Sequence, residues 1–327
     1  MSAIGSDAPL LSVIVTCTTA GDHVDRCLDA LRAQRGAPAF EVIVPVDPSL
    51  PDVERWRAKY PEVAFPVLAA EGLAEASDPG LRHLAYDRRR ATGLAAARGA
   101  LLALTEDHAR PAPDWCARIA DAHARLPHAA IGGAIDNASP QPLAWAVYFG
   151  DFGRYQSPLP EGPADYVSDV NVSYKRAPLE AVADAWRGAY HETAVHGALR
   201  ARGEVLWREP SIVVVQERGR LRLAPCLRER FAWGRLYAGK RAHEVGPARR
   251  LALALLSPLL PPLLLFRQVR TAWQRGRHRA AFARALPWLA VLLVAWSAGE
   301  VAGLWTGRPT SARPPADADE RVREPRA

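Results

Sequence analysis

Short apolar runs that stop on polar residues, with stretches of helical periodicity between them, constrain this chain most. LLSVIVTCTT (residues 10–19) is uncharged and rich in β-branched residues, the composition of a strand buried on both faces, and it stops on threonines. FEVIVPVDPS (40–49) repeats the pattern and stops at Asp47, while LLAL (101–104) stops on Thr105, Glu106, Asp107 and His108. Between the first two runs, Val24, Cys27, Leu28 and Leu31 recur at the spacing of one helix face. PDVERWRAKYP (51–61) reads as a helix with Pro51 in its first turn, and FPVLAA (65–70) reads as a third strand. RRRATGLAAARGALLALTEDH (88–108) reads as a helix, a stop at Gly99 and a fourth strand. Strands alternating with helices predict an α/β fold with a mainly parallel central sheet. Ligands of such sheets bind at the carboxyl ends of the strands. Three of those ends are polar here: Thr18 and Thr19, Asp47, and Glu106 to His108.

Past Trp115 a helix is expected to about Leu126, then a strand over AAIGGAID (129–136), a short strand in SDVNVSYKR (168–176) and a helix over APLEAVADAW (177–186). HETAVHGALRARGEVLWREPSIVVVQ (191–216) reads as a helix, a turn at Gly203 and strand.

The texture then changes. Residues 251–266 are uncharged, and 285–305 carry only Glu300. A membrane-spanning helix needs about 20 apolar residues. The first segment is shorter and holds Pro258, Pro261 and Pro262; the second is long enough, with Trp288 and Trp305 positioned as interfacial anchors. Arg249 and Arg250 precede the first segment, and Arg267, Arg270, Arg275, Arg277, Arg279 and Arg284 lie between the two. If the first segment spanned fully, that basic loop would sit across the membrane from Arg249, against the positive-inside tendency. It therefore reads as re-entrant or interfacial, and 285–305 as transmembrane. The expected organisation is an α/β domain over 1–217, a basic amphipathic membrane-proximal region over 218–250, membrane segments over 251–305 and a disordered tail over 306–327.

The net charge of +7 is concentrated after Arg218, which suggests an anionic partner. The adjacent apolar segments make membrane lipid, and not nucleic acid, that partner. Cys17, Cys27, Cys116 and Cys226 form no C-x-x-C pair, which argues against a zinc site or a disulfide framework and fits a reducing compartment. No basic stretch precedes the first apolar run, so no signal peptide is expected.

The chemistry lies at the strand ends. Carboxylates beside an imidazole can hold a divalent ion: Mg²⁺ takes oxygens, and Mn²⁺ also accepts imidazole. Such an ion usually binds through one or two carboxylates together with substrate phosphates.

In order along the chain, LSVIVTCTTAGDHVDRCLDALRAQ, FEVIVPVDPS, RATGLAAARGALLALTEDHARPAPDW, SDVNVSYKRAPLEAV and YHETAVHGALRARGEVLWREPSIVV resemble the motif series of family 2 glycosyltransferases, which have a GT-A fold. The resemblance runs from about residue 11 to 217. It implies that Glu106, Asp107 and His108 occupy the D-x-D region, which holds a metal, Mn²⁺ or Mg²⁺, on the diphosphate of a nucleotide-sugar donor. It implies donor contacts for Thr16, Thr18, Asp47 and Arg90, and the general-base role for Glu192. Asn171, Arg228 and Arg230 fall in the acceptor or phosphate region. An inverting enzyme needs one carboxylate on the acceptor side to take the hydroxyl proton, and compensation of charge on the leaving diphosphate opposite. The implied activity is transfer of a sugar to a lipid-linked or glycan acceptor. The implied location is the inner (cytoplasmic) membrane, with the catalytic domain facing the cytoplasm. Three departures from the pattern, Val46 and Glu106 and His108, motivate an alternative: a non-catalytic membrane scaffold or binding subunit of a glycan-assembly complex.

Overall fold

The computed structural model describes residues 8–307 apart from 18, 49 and 69–78. Thr18, the end of FPVLAA and nearly all of the 306–327 tail lie outside the described residues. The first half of the chain alternates as its periodicity predicts. It contains β1 (Leu11–Thr16), α1 (Asp22–Arg32), β2 (Phe40–Ile43), α2 (Val53–Lys59), β3 (Val63–Ala64), α3 (Pro79–Ala96), β4 (Leu101–Glu106), β5 (Ala109–Pro111) and α4 (Trp115–Arg125). The second half adds β6 (Ala130–Asn137), α5 (Pro142–Phe152), β7 (Gly162–Ala164), β8 (Val172–Lys175), α6 (Arg176–Glu180), α7 (Glu192–Ala201) and β9 (Leu206–Gln216).

These strands form one sheet in the order β3-β2-β1-β4-β8-β6-β9-β5, with β7 on β9. The sheet is mixed. β1, β2, β3 and β4 run parallel; β8 enters antiparallel between β4 and β6; β6 and β9 run parallel to each other. The reversal at β8 matters for the site. As β4 runs from Leu101 to Leu104 its partners run from Lys175 back to Val172, so the residues just before β8 lie beside the carboxyl end of β4.

Alternation along β4 divides the core. Leu101 and Ala103 face one apolar cluster with Val24, Cys27 and Leu28 of α1, while Leu102 and Leu104 face another with Ala91 and Leu94 of α3. At the strand end the same two-residue period must send neighbouring polar side chains to opposite sides.

The C-terminal region is helical: α8 (Leu223–Ala242), α9 (Pro247–Leu256), a 3₁₀ turn over Ser257–Leu259, α10 (Leu260–Arg275) and α11 (Arg279–Thr306). The prolines of the first apolar segment do not break it apart. They sit in the 3₁₀ turn and in the first turn of α10, where no backbone N–H is required. Two stretches, Pro247–Arg275 and Arg279–Thr306, are long and apolar enough to cross a membrane by length and composition. Phe282, Ala285, Leu289 and Leu292 of α11 join the apolar cluster that also contains Phe149 and Phe152 of α5. Further along, α11 crosses α8 at backbone contact. A Cβ on Gly299 would overlap the Phe231 carbonyl, and one on Gly234 would overlap that of Trp296, so only glycine permits this approach.

Candidate active site

The carboxyl ends of β1 and β4 are held side by side: Thr16 pairs with Glu106 in register, and the Asp107 N–H donates to the Thr16 carbonyl at 3.1 Å. From this shared edge Glu106 and Asp107 diverge, as strand alternation requires.

Asp107 is buried on the α1 side. His23, one residue into α1, brings Nε2 to 3.3 Å from Asp107 Oδ2, and its ring stacks on His108 with centroids 4.1 Å apart. Gly21 makes room for this: its φ of 146° is one that side chains rarely adopt, and a Cβ there would press on the His23 ring. Ligand atoms of His23, Asp107 and His108 lie within 4.8 Å of one another. Both Asp107 oxygens and His108 Nδ1 are buried without a hydrogen-bond partner among the described residues. Burial holds the His108 imidazole down to about 4 despite the nearby Asp107 carboxylate, so its ring is neutral and can offer a lone pair. A buried carboxylate whose near neighbour is an imidazole, His23, beside a neutral imidazole with a free ring nitrogen, fits a divalent cation.

Asp47 is buried at the end of the second run, and its predecessor Val46 is core. Near them lies Arg89, whose guanidinium is buried with Nε and Nη2 unpartnered among the described residues. Burial lowers its pKa, and the nearby Asp47 and Asp107 carboxylates oppose that shift. Thr16 Oγ1 is likewise buried and unpartnered.

Glu106 turns the other way, to the α3 side. Arg90 Nη2 lies 3.2 Å from Glu106 Oε1 and 2.7 Å from Asp169 Oδ2, and Arg90 Nη1 lies 3.4 Å from Asp87 Oδ1. Arg90 is thus clasped by three carboxylates. Burial, then the Asp169 charge, raises the Glu106 carboxyl to about 7, with Arg90 and Arg218 pulling against them. Asp169 is also raised, first by burial, with the Glu192 charge adding to it.

Glu192 opens α7. The Tyr166 hydroxyl donates to its Oε1 in a short hydrogen bond, and its Oε2 is buried with His191 Nδ1 at 3.9 Å and no hydrogen-bond partner among the described residues. His83 and His191 approach so closely that a ligand atom of each lies within 4.8 Å of a Glu192 oxygen. Trp233 of α8 meets the His83 ring edge-on at 4.8 Å, which puts the C-terminal helices against this side of the site.

The remaining expected residues lie away from these two groups or serve the fold. Asn171 spends its side chain on the fold: Nδ2 donates to the Ala134 and Ile212 carbonyls at 2.8 and 3.0 Å, and Oδ1 accepts from Trp115 Nε1 at 2.9 Å. It thereby pins the register shift between Gly133 and Ala134 where β6 meets β9. Arg230 pairs with Asp151, with Nη2 2.8 Å from Oδ2, and joins α8 to α5. Arg228 is exposed.

His23, Arg89, Tyr166, Asp169 and Arg218 were not read as site residues from sequence. His23 had a usable signal, since the first turn of the helix after β1 must open beside that strand's carboxyl end. Asp169 and Tyr166 had none, because only the antiparallel insertion of β8 brings them to β4.

Residues 12–182, just over half of the chain, match the family model described as Glycosyl transferase family 2. The chain belongs to glycosyl transferase family 2. This family 2 member is therefore a glycosyltransferase, and its mixed α/β sheet is of the GT-A kind expected for it. No curated protein matches it. Among solved structures this glycosyltransferase is similar to a mannosyltransferase from Pyrobaculum calidifontis in complex with GDP-Man and Mn²⁺. The identity is 16% and the TM-score 0.48, over 90% of this chain and 88% of the other.

Proposed function

We propose that this glycosyltransferase moves a sugar from a nucleotide-diphosphate donor to a hydroxyl of a lipid-linked or glycan acceptor, with inversion and with the help of Mn²⁺ or Mg²⁺, on the cytoplasmic side of a membrane. One observation carries the reading: carboxylate oxygens without a hydrogen-bond partner among the described residues fall in two separate places, on Asp107 and on Glu192, with the Arg90 network between them.

Asp107 and His108 would hold the cation, which on binding neutralises charge on the leaving diphosphate. Asp47 would receive the nucleoside. Thr16 and Arg89 bring unpartnered donors to the same side, suited to oxygens of the donor. On the acceptor side, Tyr166 holds one Glu192 oxygen and leaves the other to accept the proton of the attacking hydroxyl. Arg90, neutralised by its carboxylates, supports Glu106 and Asp169 as a rigid floor between the two groups.

Thermal melting with a panel of nucleoside diphosphates, each with and without Mn²⁺ or Mg²⁺, tests the donor half. A ligand that binds only the folded state raises stability by about 2.7 kcal/mol at a hundred times its Kd. One nucleotide should raise the Tm in a cation-dependent way, and Asp107→Asn should abolish the cation dependence. No shift with any nucleotide, or a shift indifferent to the cation, contradicts the proposal.

A further inference from the structure

α11 carries the sequence mark of a membrane span, and at 28 residues with a rise of about 1.5 Å each it is long enough for one. Its packing points elsewhere. A spanning helix meets lipid, or other apolar helices, around its circumference through the hydrocarbon depth. α11 instead lies along the catalytic domain. Its first half is buried on α5, where Phe149 meets the Phe282 ring at 4.9 Å and Leu289 sits at Gly150. Its second half is fused to α8 through Gly234, Gly299 and Gly303. α8 cannot follow it into hydrocarbon, because it carries Arg228, Glu229, Arg230, Arg235, Lys240 and Arg241 in twenty residues. The backbone of Arg235 touches Gly299 and Gly303, within the C-terminal third of the segment that would have to cross. Glu300, on α11 itself, is buried beside this contact.

The opposite face of α11 is bare. Trp288, Val291 and Val294 are exposed along one stripe, and Trp305 near its end is 72% exposed. The α9–α10 stretch is more open still: Leu255, Leu259, Leu263 and Phe266 are each more than half exposed. Arg249, Arg267, Arg270, Arg279 and Arg284 flank these apolar faces and are themselves exposed. Apolar faces of membrane-grade composition with cationic flanks fit one partner, a bilayer containing anionic lipid, met side-on.

We infer that the chain docks onto an anionic bilayer from one side, with the outer faces of α9–α10 and α11 immersed in the interface, and that α11 does not cross. The fusion of α11 to the charged helix α8 holds the catalytic domain against the membrane surface at a fixed attitude. Trp233, one residue from Gly234 at that fusion, touches the His83 ring beside Glu192. The acceptor acid of the proposed function is thereby tied, through α8, to the helix that docks.

The four native cysteines are buried, so single cysteines can report sidedness. His243→Cys, Gln274→Cys and Thr306→Cys put one label at each end of the two apolar stretches. In sealed inverted membrane vesicles, a membrane-impermeant maleimide added outside should label all three as fully as after detergent. Protection of Gln274→Cys or Thr306→Cys until detergent is added overturns the inference in favour of a span. The full-length protein should also float with phosphatidylcholine vesicles only when phosphatidylglycerol is included. Leu255→Glu combined with Val294→Glu should cut flotation by about tenfold or more while the Tm is kept, since both side chains face outward. Failure to float with either vesicle, or a stable dimer in solution that does not float, means that lipid is not what covers this face and also overturns it.

Discussion

Arg90→Met isolates the charge at the centre of the site. Arg90 is fully buried and clasped by Asp87, Glu106 and Asp169, with Asp169 at 2.7 Å. Removing one partner of a buried ion pair typically costs 3–5 kcal/mol, because the other is left charged and unsolvated. The carboxyls can limit that cost by taking up a proton. Asp169 is the nearest, and its pKa is already raised by burial. Relative to an unfolded Asp titrating near 3.9, holding it protonated costs about 4 kcal/mol at pH 7 but only about 1.5 kcal/mol at pH 5. The sign follows from the raised folded pKa. Between the unfolded and folded values the native variant binds more protons than its unfolded chain, so its stability falls as pH rises. Urea denaturation followed by tryptophan fluorescence should find Arg90→Met destabilised relative to the parent by about 3–4 kcal/mol near neutrality, and the gap should close by more than half at pH 5. Adding Asp169→Asn should recover stability at pH 8 and change little at pH 5. A penalty that does not depend on pH would refute the buried-charge reasoning, and so would a double variant no better than Arg90→Met at pH 8.

Other expectations follow from neighbouring geometry. Burial alone would raise Asp25, but hydrogen bonds from Arg55, Lys59 and Tyr60 outweigh it and hold the carboxyl near about 2. Its contribution is therefore complete above about pH 4 and is lost as pH falls toward 2; since Arg55 and Lys59 are largely solvated, Asp25→Asn should cost about 1 kcal/mol at pH 7 and nothing at pH 2 in urea titrations. Asn171→Ala orphans the buried Trp115 Nε1 and the Ala134 and Ile212 carbonyls, a loss of about 3 kcal/mol or more, seen as a Tm lower by roughly 5–10 °C. Gly299→Leu forces a side chain onto the Phe231 carbonyl; it should cost about 3 kcal/mol and loosen α11 from α8, read as faster proteolysis within 279–306.

The strands and their polar ends were legible because burial on both faces imposes an apolar run and water imposes its end. The division at Glu106 and Asp107 was latent in the same rule. Adjacent residues on a strand face opposite sides, so the three consecutive positions 106–108 could not all converge, and only His108, past the turn, joins Asp107 again. The Arg90 network was not legible. Asp169 reaches Glu106 through an antiparallel strand inserted between two parallel ones, a pairing with no local signature. The resemblance located Asn171 by motif, yet its chemistry is decided by three buried neighbours far away in sequence. The apolarity of 285–305 was equally plain, but hydropathy does not record which side of a helix is already occupied. Gly299 and Gly303 were the readable hint that another backbone lies against it.

In the proposed reaction donor-side and acceptor-side chemistry are separate, and Glu192 alone takes the proton. The direct test measures, on one preparation of Glu192→Gln, both cation-dependent nucleotide binding and sugar transfer. Gln keeps the shape and the Tyr166 contact but cannot accept the proton, so binding should match the parent while kcat falls by about 10²–10⁴-fold. Transfer at the parental rate would contradict the account, and so would loss of nucleotide binding together with transfer.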